Sequence, residues 1–160
     1  MVFFVNLQVV LYSAIDPIAG DNFHLIGFND VNTAITKKFL EALIAQYPKY
    51  HILLVWNRVL FHRKKELYEL EDITTMFLPS YSQQLSLVER FYGEIRKSTT
   101  NRIFQNIKTQ KNIIEDEVVK WMNDTDKTQK LCGYDWIIEQ WDCPPSPLPS
   151  SPCFVGMIGL

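Results

Sequence analysis

Glu89 is the residue whose surroundings most strongly suggest a chemical role. It follows the turn-rich sequence 78–82 and stands near the start of a predicted helix, in which apolar residues recur with helical spacing. Arg96 and Lys97 fall on the same side of that helix, nearer its end. This helix therefore carries one carboxylate near its amino end and two bases nearer its carboxyl end, and it is the place where the sequence points to chemistry.

A structural role also accounts for Glu89. Ser86, Leu87, Val88 and Glu89 fit the S-x-x-E capping box, in which the serine accepts a hydrogen bond from an early backbone amide and the glutamate reaches back to the cap. Capping boxes far outnumber catalytic acids. Spacing alone leaves both interpretations open.

The apolar pattern predicts the elements around this helix. Residues 2–15 and 22–28 read as the two strands of a hairpin, joined by a turn at 16–21 that accounts for Asp16 and Asp21. Thr33 is predicted to cap the first helix, and Pro48 to stop it. The remaining predicted elements are strands at 51–56 and 73–78, a short helix at 64–70, and helices at 87–104 and 111–122.

Composition describes an ordinary globular chain without general affinity for nucleic acid. Its 160 residues suit one domain, and 47% hydrophobic against 21% charged residues argues against disorder. The net charge is −2. Three cysteines without C-x-x-C spacing indicate neither a disulfide framework nor a zinc site. With no secretory signal and no continuous apolar run of about 18 residues, we expect a cytoplasmic protein that does not enter membranes.

Basic residues are concentrated around the candidate helix. Between Arg58 and Lys111 there are ten Lys and Arg against six Asp and Glu. Such residues could contact DNA phosphates, or they could simply form solvated helix faces, and the sequence leaves both possibilities open. The candidate DNA-binding residues are His62, Arg63, Lys64, Lys65, Arg90, Arg96 and Lys97.

The sequence 78–92, LPSYSQQLSLVERFY, resembles the last block of DDE transposases of the mariner-like, bacterial insertion-sequence kind, L-P-P-Y-S-P-x-L-N-P-x-E-x-x-W. Residues 12–20, 32–48, 51–63, 101–104 and 132–137 resemble further blocks of that family, so the resemblance covers roughly residues 9 to 141. In this family the closing glutamate is the third metal-binding acid, and it corresponds to Glu89. Tyr92 stands where tryptophan is usual.

The resemblance implies an α/β fold, namely a ribonuclease H-like mixed sheet flanked by helices. We expect the first central strand to be missing, because the family's hairpin begins as early as Tyr12. Residues 1–141 would then be a partial catalytic domain and 142–160 a proline-rich, disordered tail. Two strand edges would face a gap, so we expect self-association unless the hairpin closes directly onto the strand at 53–56.

The resemblance also implies a function and its loss. Such enzymes cleave and transfer DNA strands at transposon ends with Mg²⁺ or Mn²⁺. The family's second acid lies five residues before the histidine that matches His62, and that position is Asn57 here. With the first acid also missing, we expect no DNA cleavage. One alternative is a non-catalytic remnant that binds DNA, in which case it associates with the nucleoid, or that pairs with itself or with an intact transposase. The other alternative is a relic without function.

Overall fold

The computed structural model describes residues 8–28, 32–56, 65–67, 69–142 and 153–158. Strands and helices alternate in the first half of the chain, and helices dominate the second half. The strands are β1 (Val9–Ile15), β2 (Asn22–Phe28), β3 (His51–Trp56), β4 (Ile73–Phe77) and β5 (Cys153–Ile158). The helices are α1 (Thr33–Gln46), α2 (Leu87–Thr99), α3 (Ile107–Met122), α4 (Thr125–Cys132) and α5 (Asp135–Asp142), with short 3₁₀ turns at Lys65–Leu67 and Gln83–Leu85.

The described strands form two small sheets. β1 and β2 make the predicted antiparallel hairpin, with Ile15 opposite Asn22 and Val9 opposite Phe28. In the second sheet β3 lies between β4 and β5, and both neighbours run parallel to it. The prediction of a mixed α/β fold is confirmed at this level.

Side chains that alternate along β1 and β3 enter two separate hydrophobic clusters. Tyr12 and Ala14 from β1 join Leu54 and Trp56 from β3 in a cluster with α1. Ile15 from β1 joins the apolar face of α2 in the other cluster, and Val55 from β3 packs against it. Because successive strand residues point to opposite faces, the hairpin and the parallel sheet together form one layer between two helical layers.

The turn of the hairpin follows the predicted turn chemistry. Asp16 Oδ1 accepts hydrogen bonds from the amides of Ile18 (2.8 Å) and Ala19 (3.2 Å). Gly20 has φ +77°, and a Cβ there would lie 2.0 Å from the carbonyl oxygen of Thr125. Glycine is therefore required both by the backbone conformation and by the close approach of α4.

Several predicted helix ends need correction. The cap of α1 is Asn32, not Thr33, because the Asn32 side chain accepts from the amide of Ile35. α2 stops at Thr99, short of the predicted residue 104, because Asn101 adopts φ +58°. α3 begins at Ile107, four residues before the predicted start. Of the predicted short helix at 64–70, the described residues form only the 3₁₀ turn at Lys65–Leu67.

Of the segment 142–160, which was expected to be a disordered tail, the structure describes residues 142 and 153–158. Residues 153–158 form β5, which pairs with β3 from His51 to Trp56. The prolines that suggested disorder end at Pro152, and the following six residues are uncharged. β5 therefore covers the edge of β3 that was expected to face a gap.

No helix within the described ranges is long and apolar enough to cross a membrane.

Candidate functional site

The segment that precedes α2 is tied to the end of the parallel sheet. The amide of Leu78 donates to the carbonyl oxygen of Trp56 at 2.8 Å, so the loop starts beside the last residue of β3. Tyr81 lies at the tip of this loop with φ +61° and a fully exposed side chain. The 3₁₀ turn at Gln83–Leu85 then leads into the helix. The loop thus connects the carboxyl end of the parallel sheet to the start of α2.

α2 is fixed by its apolar face. The predicted residues on that face, Val88, Phe91, Tyr92 and Ile95, are all buried. Tyr92 also donates a hydrogen bond from its hydroxyl to the carbonyl oxygen of Leu11 at 2.9 Å, which joins the helix to β1. The polar face of α2, with Glu89 in its first turn, is consequently turned away from the sheet.

The Glu89 carboxylate lies at this outer face. Its Oε2 is 3.6 Å from Nη2 of Arg96, and its side chain is 37% exposed. Ser86 occupies the cap position, but its side chain makes no capping hydrogen bond. The capping box read from the sequence is therefore incomplete, and the described partner of the carboxylate is Arg96.

The basic residues predicted to contact DNA fall into two groups. Lys65 pairs with Glu69 at 3.2 Å, and Lys97 pairs with Glu94 at 2.6 Å, both at exposed positions. Arg90 behaves differently, because its guanidinium lies 4.2 Å from the centre of the Tyr134 ring and donates to the carbonyl oxygen of Leu131. Arg90 thus holds α2 against the segment between α4 and α5.

A second cluster of chemistry-bearing side chains lies under α2 and was missed by motif reading. His24 Nδ1 is 2.8 Å from the hydroxyl of Ser13, and its Nε2 is 2.8 Å from Oδ1 of Asn22. An amide oxygen only accepts, so Nε2 carries the proton and Nδ1 accepts from Ser13. The predicted hairpin contained the signal, because a turn at 16–21 places residue 13 opposite residue 24.

This Ser-His-Asn arrangement is structural. Ser13 has no exposed surface, and the imidazole of His24 stacks on Phe91 with ring centres 4.8 Å apart. Burial lowers the pKa of His24 to about 3, which makes it a poor base at neutral pH. The amide nitrogen of Asn22 lies 3.1 Å from both the carbonyl oxygen of Trp121 and the hydroxyl of Thr128. The cluster joins the hairpin to α3 and α4.

Comparison with known families decides the relationship. The profile of the DDE superfamily endonucleases matches residues 6–128, about three quarters of the chain. The chain belongs to this family. No match was found among curated proteins or among solved structures. The matched range includes β1 to β4, α1 to α3 and Glu89, and it ends before α5 and β5.

DDE endonucleases typically use divalent metal ions, so the described residues were tested against that requirement. Within the described ranges, no three His, Cys, Asp or Glu side chains are grouped as metal ligands. Asn57, His62, Arg63 and Lys64 lie outside the described residues. Glu89 is the one predicted ligand that is described, and it faces a guanidinium. This part of the DDE endonuclease fold does not by itself fit a centre for two metal ions.

Proposed function

We propose that the chain is a transposase catalytic domain of the mariner-like, insertion-sequence kind that no longer cleaves or joins DNA. A ribonuclease H-like origin is supported by the hairpin, the parallel β3 and β4, and the helical layers on both faces. DNA is the substrate class expected of a DDE endonuclease.

The proposed loss of activity rests on the carboxylates that a two-metal site requires. Two-metal strand cleavage holds its ions about 3.5–4 Å apart and depends on several carboxylates. At the position of the second acid the sequence has Asn57, whose amide brings no negative charge. The decisive observation is that, among the described residues, no three His, Cys, Asp or Glu side chains are grouped so that they could hold a metal ion, around Glu89 or elsewhere. Mg²⁺ or Mn²⁺ remains the cofactor of the proposed ancestor.

A nicking assay tests the loss of activity. The full chain is incubated with supercoiled plasmid and Mg²⁺ or Mn²⁺, and relaxed plasmid is quantified beside an EDTA control. We expect equal nicking with and without metal. Glu94→Ala, on the same helix, is the matched control for Glu89→Ala. Metal-dependent nicking that survives Glu94→Ala but disappears with Glu89→Ala would overturn the proposal.

A second candidate is DNA binding without cleavage, alone or together with an intact transposase. The Lys65, Arg96 and Lys97 side chains are 89%, 63% and 70% exposed. Exposed ion pairs contribute little stability, so phosphates can replace their carboxylate partners at small cost. His62, Arg63 and Lys64 adjoin Lys65 in sequence and belong to the same proposed surface. Arg90 is also exposed and belongs to the proposed surface, with its guanidinium 4.2 Å from the centre of the Tyr134 ring. If this surface binds DNA, the cytoplasmic chain associates with the nucleoid.

Salt dependence of DNA affinity tests this candidate. Each phosphate contact contributes a slope of about −0.9 to the plot of log affinity against log salt. We expect the Gln triple variant at Lys65, Arg96 and Lys97 to reduce the magnitude of that slope by about 2–3. The matched control is the Gln triple variant at 37, 38 and 49, in and just after α1, which removes the same charge. Equal slopes for the two variants, or no binding at low salt, would reject DNA binding.

A further inference from the structure

The last described strand, β5, has an unexpected place in the sheet. It follows α2 to α5 in the chain, yet it pairs with β3, which precedes them all. The pairing is parallel and covers six positions, from His51 opposite Cys153 to Trp56 opposite Ile158. β4 takes the other edge of β3. β3 is therefore a central strand because the C-terminal segment covers one of its edges.

The backbone amides and carbonyls at this edge of β3 lie in surroundings where they need a hydrogen-bonding partner. Ile52, Leu54 and Trp56 have no exposed surface. β5 also lies beside β1 and contacts α2, so the position is enclosed by neighbouring elements. Backbone amides and carbonyls in such surroundings have little access to water and are costly when left unpaired. A strand at this position supplies the hydrogen bonds that water would otherwise supply.

The chemistry of the C-terminal segment suits that position. Residues 153–158 read Cys-Phe-Val-Gly-Met-Ile and contain neither charge nor proline. Short apolar segments of this kind readily add to a strand edge. Residues 143–152 contain five prolines, which lack the amide hydrogen needed for a ladder. Residues 153–158 are thus the part of this tail that can occupy the position.

We infer that the edge of β3 is a strand-acceptor site and that its occupant is the chain's own segment 153–158. The site selects an uncharged strand in parallel orientation and binds it mainly through the backbone ladder. The occupant lies outside the range shared with the DDE endonucleases, and it is held to β3 through a single strand pairing, so it detaches as a unit. An identical segment supplied from outside then binds in its place. This inference does not depend on any DNA-related activity.

Two adjacent prolines provide the test. Successive residues of a strand direct their amides to opposite edges, so the double variant Val155→Pro/Gly156→Pro removes at least one amide that faces β3. Gly159→Pro, one residue beyond β5, is the matched control. A fluorescein-labelled peptide of residues 152–160 is titrated against each full-length protein in reducing buffer, and anisotropy is measured.

We expect the peptide to bind the double variant at least tenfold more tightly than the unaltered chain or Gly159→Pro, because their site is already occupied. A peptide that carries the same two prolines should not bind. Equal affinity for all three proteins, or no binding to a folded double variant, would overturn the inference.

Hydrogen exchange in the unaltered chain decides the question if the double variant fails to fold. Amides of 153–158 should exchange at least tenfold more slowly than those of the free peptide, together with the amides of 51–56. Exchange of 153–158 at the rate of the free peptide would show that the acceptor site lacks this occupant and would overturn the inference.

Discussion

Two groups of polar side chains lie on opposite sides of α2, in opposite surroundings. On the outer face, Glu89 and Arg96 stand 3.6 Å apart in contact with water. On the inner face, Phe91 covers His24, which bonds to Ser13 and Asn22 at 2.8 Å. Glu89 was predicted from the sequence as a site residue, whereas the Ser13, His24 and Asn22 cluster was not predicted.

The difference shows that burial, more than residue type, separates structure from chemistry in this molecule. A nucleophile must reach its substrate, and Ser13 has no exposed surface. Glu89 has the access that chemistry requires, but among the described residues it belongs to no group of three or more potential metal ligands. The inner face should therefore determine stability, and the outer face should affect it little. Four substitutions or titrations test that contrast, from the largest expected effect to the smallest.

Truncation of the Phe91 side chain should cause the largest loss in the free energy of unfolding. Phe91 has no exposed surface and contacts both His24 and Trp121, whose ring centre lies 5.6 Å away. Phe91→Ala should lower the free energy of unfolding by about 3–5 kcal/mol in urea denaturation, because it leaves a cavity and uncovers the imidazole. Tyr81→Ala, at a fully exposed aromatic, should change it by less than about 0.5 kcal/mol. If Phe91→Ala and Tyr81→Ala changed the free energy of unfolding equally, the inner face would not be the stabilising one.

Acid should destabilise the fold through His24. Its folded pKa is about 3, below the unfolded value of about 6.5. Between these values the unfolded chain binds a proton that the folded chain does not, so stability falls as pH decreases from about 6.5 to about 3. Above about 6.5 this contribution is fully present. We expect a loss of roughly 3–4 kcal/mol over that range.

His24→Gln isolates the contribution of this imidazole. Burial raises the pKa of Asp16, which opposes the effect of His24 as pH falls. Glutamine keeps hydrogen-bonding groups but does not titrate, so the variant should lose most of the His24-dependent slope while Asp16 is unchanged. His51→Gln, at an exposed contact with Thr74, serves as the control. A pH profile that stays the same in His24→Gln would contradict a buried, neutral imidazole.

Sequence patterns predicted the elements better than the contacts between them. The hairpin strand at Asn22–Phe28 and the strand at His51–Trp56 are as predicted, because the turn residues and the apolar run act locally. The buried face of α2 was also predicted, since it depends on helical spacing alone. The end of α2 was not, because it is set by the backbone conformation of Asn101.

Sequence patterns did not predict which distant segments of the chain contact each other. The uncharged segment 153–158 could be recognised as apolar, but nothing local assigns it to the edge of β3. Helical spacing placed Glu89 and Arg96 on one side of α2, but their contact was found only in the structure. The packing of Arg90 on Tyr134 likewise depends on how α2 meets a later segment.

Removal of the Asn22 side-chain amide should lower the free energy of unfolding by a moderate amount. Its oxygen accepts from His24, and its nitrogen reaches the carbonyl oxygen of Trp121. Asn22→Ala leaves buried polar groups without partners, so we expect a loss of about 2–3 kcal/mol in thermal or urea unfolding. Asn112→Ala, at an exposed position of α3, should change stability by less than about 0.5 kcal/mol. A similar small loss in both variants would mean that water replaces the Asn22 bonds, and the inner face would then resemble the outer one.

The pair on the outer face should contribute least. Glu89 and Arg96 are separated by 3.6 Å and both contact water, so their attraction is screened. A double-mutant cycle of Glu89→Gln and Arg96→Gln should give a coupling free energy of at most about 0.5 kcal/mol, close to that of the Glu94–Lys97 pair measured in the same way. A small coupling leaves the Glu89 carboxylate available to another cation, because little stability is lost when Arg96 moves away. A coupling above about 1 kcal/mol would instead show that Arg96 holds the carboxylate firmly, and the outer face would then be structural like the inner one.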